Sequence, residues 1–137
     1  MPVVDITMLR GRTPEQIRGI ADAAHAALVA TYEIPAADRF QVIHQCEPHE
    51  FFFDELFGGG PRTEEFLLIR VTAGRPRPVD VKRMFFSALV ENLQADAGVD
   101  PENVLILLDN VEMSDMSLGA GRPFDLHATH VPVEPAH

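Results

Sequence analysis

The feature that most constrains the fold of this chain is an internal repeat. A short apolar segment, a glycine-arginine pair, an amphipathic segment and a further apolar segment follow one another in residues 2–45, and the same order returns at about residues 65–110. Gly11-Arg12 in the first copy corresponds to Gly74-Arg75 in the second, 63 residues later. A repeat of this kind is one supersecondary unit used twice, so the sequence predicts two tandem βαβ units.

The first copy has the pattern of strand, helix and strand. Residues 3–9 are apolar with partial alternation, which is typical of a short strand. Thr13 and Gln16, with a proline directly after the threonine, have the signature of a capping box and predict that a helix begins there. The apolar stripe of this helix fades near residue 32, and residues 40–43 predict a second strand.

The second copy repeats this pattern. Residues 66–72 predict a strand, residues 78–98 a helix, and residues 104–108, which are apolar throughout, a strand that we expect to be the most buried of the four. Two such units predict an α/β (α+β) fold of one domain, residues 1–137, in which a four-stranded sheet carries both helices on one face. Because the last strand is apolar on both faces, we expect other subunits to cover the bare face of the sheet.

The charge of the chain excludes some classes of partner. The formal net charge is −10, so the surface lacks the basic character that attracts nucleic-acid phosphates or anionic lipids. An anionic substrate would therefore need a local basic pocket. No run approaches the roughly 20 apolar residues of a membrane span, and the first residues lack a signal-peptide pattern. We expect a cytoplasmic protein that binds neither nucleic acid nor membranes.

Pro2 is the first candidate for chemistry. Methionine before proline is normally removed in cells, and the new chain end would be a secondary amine. A free α-amine titrates at about pH 8, so it can serve as a base, an acid or an iminium-forming nucleophile close to neutrality. Because Pro2 leads directly into the first predicted strand, it would be anchored rather than frayed.

Two arginines and an aspartate are the next candidates. Arg75 and Arg77 flank a proline between a strand end and a helix start, where guanidinium groups and the helix N-terminus favour a bound carboxylate. Asp38 precedes the second strand and could orient or activate water. Each motif also has a non-functional interpretation. The two arginines could be solvated surface residues, and the aspartate could form a turn or pair with Arg39.

Four short motifs together resemble those of the tautomerase superfamily. They are Gly11-Arg12-Thr13, Asp38-Arg39-Phe40, Arg75-Pro76-Arg77 and Ser114-Asp115-Met116-Ser117-Leu118-Gly119. The resemblance runs from Pro2 to Phe124 and is closest to the malonate semialdehyde decarboxylase-like proteins. It implies paired βαβ units that assemble as trimers or hexamers, so we expect a homotrimer in which residues 111–137 make subunit contacts.

The resemblance also implies an active site without a cofactor. The active-site residues of those decarboxylases carry over, at the matching motifs, to Pro2, Asp38, Arg75 and Arg77. Met116 and Leu118 stand where the decarboxylases have tryptophan and phenylalanine, so the pocket wall stays apolar but changes shape. We expect these two residues and Phe124 to contact the substrate.

The candidate residues favour an enzyme that acts on a small anionic oxo acid. Decarboxylation is our first expectation and keto-enol tautomerisation the second, because a protonated Pro2 would polarise a carbonyl whereas a neutral one would act as base or nucleophile. Asp38 favours the protonated amine, and the arginines oppose it. Two other classes stay open, a non-catalytic trimeric binding protein and a metalloprotein. The residues that suggest a metal are His44, His49, His127 and His130.

Overall fold

Both copies of the repeat form the elements that the sequence predicts. A computed structural model describes residues 1–124. The elements are β1 (Pro2–Leu9), α1 (Pro14–Tyr32), β2 (Gln41–Cys46), β3 (Leu67–Ala73), α2 (Val79–Ala97) and β4 (Val104–Asn110), with 3-10 turns at Pro101–Asn103 and Met113–Asp115. The predicted α/β class, and the order of strand, helix and strand in each copy, are confirmed.

The sheet joins the two copies at its centre. The strand order is β2-β1-β3-β4. β1 runs parallel to β2, and β3 runs parallel to β4, while the two central strands β1 and β3 are antiparallel. An antiparallel centre relates the βαβ units by an approximate two-fold axis. It also places the start of β1 beside the end of β3, where Pro2 pairs with Ala73.

Both helices pack on one face of this sheet. Buried and partly exposed residues alternate along β1, which is the pattern of a strand with one covered face. The apolar sides of α1 and α2 close over the buried side chains and form one core with them. Its largest fully buried members include Ile6, Met8, Ile20, Leu28, Leu67, Ile69, Phe85, Leu89 and Leu93. Within residues 1–124, neither helix is long and apolar enough to cross a membrane.

Local sequence determines where the helices begin and end. The Gln16 N–H donates to the Thr13 side chain at 3.2 Å and the Thr13 N–H donates to the Gln16 side chain at 2.9 Å, so the predicted capping box is confirmed. α2 is followed by Gly98, whose φ of 65° is the left-handed conformation that glycine adopts without strain. α1 ends at Tyr32, and its last turn contains no basic residue.

The other face of the sheet, which we call the open face, is uncovered in the single chain. It includes Leu105 and Leu107 of β4, and Leu107 is 43% exposed. No residue of β4 is fully buried, so the prediction that this strand is the most buried one is wrong for the single chain. β4 lies at an edge of the sheet, whereas the central strands β1 and β3 alternate buried residues with partly exposed or exposed ones. An apolar sequence does not show which position a strand takes in its sheet.

The chain after β4 stays at the end of the sheet where β1 begins. The Val111 N–H donates to the Ala73 carbonyl at 3.0 Å. Ser117 and Pro123 then form an isolated antiparallel bridge. Of the segment expected to make subunit contacts, the structure describes residues 111–124 only, and the candidate metal ligands His127 and His130 lie outside the described residues.

Asn103 provides a test of how the connection between the two copies is held against the second copy. It is 1% exposed; its side chain accepts a hydrogen bond from the Thr63 N–H at 2.8 Å and donates one to Thr63 Oγ1 at 2.9 Å. Asn103→Ala leaves a part-buried N–H without its partner ahead of β3. We therefore expect the free energy of unfolding, measured by urea denaturation, to fall by about 2 kcal/mol.

Asn110→Ala is the matched control, because it makes the same chemical change at an exposed position at the end of β4. We expect it to change the free energy of unfolding by less than about 0.5 kcal/mol. An equal loss in both variants would show that the Asn103 hydrogen bonds contribute nothing specific.

Candidate active site

The start of β1 lies between the loop before β2 and the turn after β3. The Val4 N–H donates to the Phe40 carbonyl at 2.9 Å, which holds the first loop against β1. On the other side, Pro2 pairs with Ala73, and the Gly74 N–H lies 3.4 Å from the Met1 carbonyl. Pro2 itself is buried. The sheet therefore brings three separate parts of the chain to one place.

Asp38 faces the terminal amine rather than the neighbouring Arg39. Its N–H donates to the Pro35 carbonyl at 3.0 Å, which sets the turn, and its Oδ2 lies 3.6 Å from the terminal nitrogen of Met1. Arg39 instead donates to Asp22 Oδ1 at 2.6 Å and also to the Gln41 side chain. The alternative in which Asp38 serves as the ion partner of Arg39 is therefore not what the structure shows.

The terminal amine lies in an environment that disfavours its charge. The chain of this structure includes Met1, so the nitrogen of Pro2 is in a peptide bond and the free amine belongs to Met1. Burial lowers the pKa of this amine most strongly; Asp38 raises the pKa, while Arg77 and Arg75 lower it. The net shift is downward, so the neutral amine is favoured at this position relative to water.

Arg75 has an unusual backbone and a free side chain. Its φ is 43°, in the left-handed region that residues with a Cβ rarely adopt. Holding a non-glycine residue there costs on the order of 1 kcal/mol or more, so other contacts must maintain the conformation. The Arg75 side chain is exposed, and no hydrogen bond or ion pair of its guanidinium is found within residues 1–124. Among the described residues, Arg75 therefore presents an unpaired cation whose charge affects the terminal amine.

Arg77, by contrast, is bound to the protein itself. Its Nη1 donates to the carbonyls of Gly74 at 3.0 Å and Arg75 at 2.6 Å, and its Nη2 donates to the Tyr32 carbonyl at 3.3 Å. Its Cζ also lies 4.5 Å from the centre of the Tyr32 ring. From the sequence we predict that the two arginines bind a carboxylate together. In the structure the Arg75 guanidinium is exposed, whereas the Arg77 guanidinium is hydrogen-bonded to the turn.

The apolar wall is formed at least in part by Met116. A Cβ built on Gly74 would lie 2.7 Å from Met116 Cε, so the absence of a side chain at residue 74 allows this methionine to pack against the turn. Phe124 is joined to the same segment, because its N–H donates to the Met116 carbonyl at 3.0 Å. Leu118 is 48% exposed. Contact of Leu118 and Phe124 with a substrate stays a prediction.

The structure thus gathers most of the candidate residues at one end of the central strands. These are Pro2, Asp38, Arg75, Arg77 and Met116, and their chemical roles stay predictions. Tyr32 is the residue that sequence reasoning missed. The sequence held one signal for it: the last turn of this helix lacks a basic residue and ends in an aromatic one. Such a helix end can accept a cation from another part of the chain.

The candidate metal ligands are not gathered in this way. His44 lies on the open face, where its Nε2 is 2.7 Å from Asp5 Oδ1, and His49 is exposed in the following loop. In the part of the chain that the structure describes, no three side chains of His, Cys, Asp or Glu are placed to share a metal ion.

Two tautomerase families and a probable tautomerase are similar to this chain in sequence. A family described as "Tautomerase enzyme" matches residues 38–119, and another family of the same description matches residues 2–59. The "Probable tautomerase YusQ" of Bacillus subtilis (strain 168) is 30% identical over 122 residues, which are 89% of this chain and 96% of that relative.

Solved structures are similar in fold. A crystal structure of malonate semialdehyde decarboxylase, a protein with decarboxylase and hydratase activities, matches with a TM-score of 0.83 at 32% identity, over 88% of this chain and 93% of that chain. A symmetric trimer of wild-type fused 4-OT matches with a TM-score of 0.72 at 19% identity, over 94% of this chain and 99% of that chain. The second similarity shows the fold alone.

The pKa of the terminal amine tests the electrostatics of this site. In protein shown by intact mass to retain Met1, we expect an amine pKa below the ordinary value, measured by a nitrogen-15 NMR titration. Asp38→Asn should lower the pKa further, because it removes the carboxylate that raises it. Arg75→Gln should raise it. An unchanged pKa in both variants would show that the three groups do not sense one another.

Proposed function

This chain belongs to the tautomerase superfamily of enzymes, and we propose that it decarboxylates a small 3-oxo acid of the malonate semialdehyde type with Pro2 as its catalytic amine. The observation that carries the proposal is the surroundings of the start of β1: the terminal amine of Met1, the residue before Pro2, lies 3.6 Å from Asp38 Oδ2 and within the electrostatic influence of Arg77 and Arg75. The 32% identity to a malonate semialdehyde decarboxylase over most of both chains supports this substrate class.

Arg75 is the group that binds the substrate carboxylate. Its guanidinium is exposed beside the amine and presents a planar pair of donors that matches a carboxylate. Since the chain as a whole carries a net charge of −10, an oxo acid is repelled elsewhere and attracted at this turn. Met116 supplies an apolar surface next to the turn and displaces water from it.

Removal of Met1 frees the nitrogen of Pro2 at the start of β1. The protonated amine donates to the carbonyl oxygen at C3 of the substrate and stabilises the negative charge that develops there. Loss of CO2 breaks the bond between C1 and C2, and the electron pair left on C2 delocalises onto that oxygen. A proton then returns to C2 and yields the aldehyde. Asp38 favours the protonated amine and positions water at the carbonyl.

Keto-enol tautomerisation of a 2-oxo acid is the second candidate, and one observation favours it. Burial, the largest single effect, lowers the pKa of the Met1 amine, and a Pro2 amine freed at the adjacent position would experience the same burial, which suits a neutral Pro2 that accepts a proton from carbon. In that reaction the amine takes a proton from C3 while the carbonyl oxygen gains one, and no carbon is lost. The relative from Bacillus subtilis is also named a probable tautomerase.

A comparison of two substrates tests both functions. Wild-type protein with Met1 removed is assayed on malonate semialdehyde for CO2 release and on phenylenolpyruvate for ketonisation. We expect CO2 release to be the faster reaction and to fall by at least about 100-fold in Pro2→Ala, because a general acid contributes a factor of this order. Proline-dependent ketonisation alone would establish the tautomerase. Turnover of neither substrate would favour the non-catalytic binding protein.

The pH dependence of kcat/KM identifies the protonation state that acts. If the Pro2 ammonium is the acid, kcat/KM falls as pH rises through the amine pKa, whereas a neutral Pro2 acting as base makes it rise over the same range. In Asp38→Asn the midpoint should move to lower pH in either case, since Asp38 raises the amine pKa.

We further propose that the chain forms a homotrimer in which the open face is covered. Val42 and Leu107 on this face are 47% and 43% exposed, and burial of such side chains favours association. On this face Asp5 is hydrogen-bonded to His44, and Arg70 lies 3.5 Å from Asp109, its partner of opposite charge. An acidic chain can therefore approach its own copies there with little repulsion. The similar fold of a fused 4-OT trimer agrees with this arrangement.

Leu107→Arg tests the proposed assembly. It adds an unpaired charge to the open face, so we expect sedimentation velocity to show trimers of the wild type and smaller species of the variant. Gln94→Arg, at an exposed position of α2, is the control and should leave the trimer intact. A monomeric wild type, or a trimeric Leu107→Arg variant, would contradict the proposal.

A further inference from the structure

Tyr32 lies between the hydrophobic core and the candidate active site. It is 5% exposed and is the last residue of α1. Its ring packs against Phe85 of α2, with 5.3 Å between the ring centres and an angle of 57° between the planes. The same ring receives the guanidinium of Arg77, whose Cζ lies 4.5 Å from its centre. One aromatic ring therefore contacts both the core and the arginine turn.

The backbone of Tyr32 contributes as well as its ring. The carbonyls at the C-terminal end of a helix carry partial negative charge, and the last turn of α1 has no basic side chain of its own. Arg77 supplies this cation from another part of the chain, because its Nη2 donates to the Tyr32 carbonyl at 3.3 Å. The guanidinium is thus held by a ring on one side and by a helix end at its edge.

Arg77, held in this way, in turn fixes the backbone of Arg75. Its Nη1 donates to the carbonyls of Gly74 and Arg75, the two residues at which the chain turns after β3. Arg75 has the left-handed φ of 43°, which is unfavourable for a residue with a Cβ. The hydrogen bond from Arg77 to the Arg75 carbonyl can form only while Arg77 stays in place.

We propose that Tyr32 is a positioning residue: its ring and its carbonyl hold Arg77, and Arg77 holds Arg75 in the conformation that engages the substrate carboxylate. The inference rests on the proposed function only in taking a small carboxylate as the ligand. Within the Tyr32 side chain, the group that holds Arg77 is the face of the ring and not the hydroxyl. Tyr32 touches no substrate, and its effect appears in carboxylate binding.

Three variants separate positioning from core packing. Tyr32→Leu removes the ring face, Tyr32→Phe keeps it and removes only the hydroxyl, and Phe85→Leu disturbs the same aromatic packing without touching Arg77. Tyr32→Met, whose flexible side chain fills the space, replaces Tyr32→Leu if that variant does not fold. Each protein is assayed for unfolding in urea, for calorimetric binding of malonate as an unreactive dicarboxylate, and for KM and kcat on malonate semialdehyde.

We expect Tyr32→Leu to weaken malonate binding and to raise KM by about tenfold, with kcat changed by less than about threefold. Tyr32→Phe should stay within about twofold of wild type in both quantities. Phe85→Leu should lose stability in urea as Tyr32→Leu does, yet keep malonate binding within about twofold. Equal losses of binding in Tyr32→Leu and Phe85→Leu, or in Tyr32→Leu and Tyr32→Phe, would overturn the inference.

The two readouts distinguish this inference from the proposed function. A wild type that binds malonate with the expected dependence on Tyr32, but turns over no oxo acid, would support the inference and remove the decarboxylase. A wild type that decarboxylates the substrate while Tyr32→Leu leaves malonate binding and KM unchanged would do the reverse. A wild type that binds no malonate would overturn the inference whatever its turnover.

Discussion

The antiparallel pairing of β1 with β3 is the interaction on which the rest of the structure depends. Each βαβ unit is parallel within itself, so this one pairing alone joins the two units into a single sheet. It determines which face both helices cover and which strands lie at the edges. It also brings the first residue of β1 beside the last residue of β3, and the candidate site is assembled around this junction.

The approximate two-fold axis relates this junction to an equivalent one at the opposite end of the central strands. The residues at that second junction are different. Glu65 occupies the position that corresponds to Pro2, 63 residues later, and the next residue, Phe66, is buried against Phe51 and Phe53. Arg12, the counterpart of Arg75, donates to the Glu65 carbonyl at 2.7 Å. The backbone nitrogen of a residue in mid-chain is in a peptide bond and offers no free amine. One junction has therefore become a packed corner, and the other has kept an exposed cation and a chain end.

Much of the fold could be predicted from the sequence because its signals are local. The capping box of Thr13 and Gln16 and the repeated strand patterns depend on residues a few positions apart. The burial of β4 could not be predicted, since strand order is a property of the whole sheet. The difference between Arg75 and Arg77 was equally hidden. It arises from the end of α1, more than 40 residues away in the sequence, where Tyr32 accepts the guanidinium of Arg77, whereas that of Arg75 has no partner within residues 1–124.

The proposed catalytic amine, that of Pro2, would lie at the very start of β1, and this would limit how the protein can be rearranged. A side-chain catalyst can be moved to a new place in the sequence by circular permutation, or buried in the middle of a fusion protein, without losing its reactive atom. A backbone nitrogen is reactive only while nothing precedes it. Because β1 begins at Pro2 and is central in the sheet, a tag, domain or linker that spares the proposed amine would have to follow the fold rather than precede it. On the proposed function, cleavage of a single peptide bond, Met1–Pro2, would then decide whether the folded protein carries its reactive group at all.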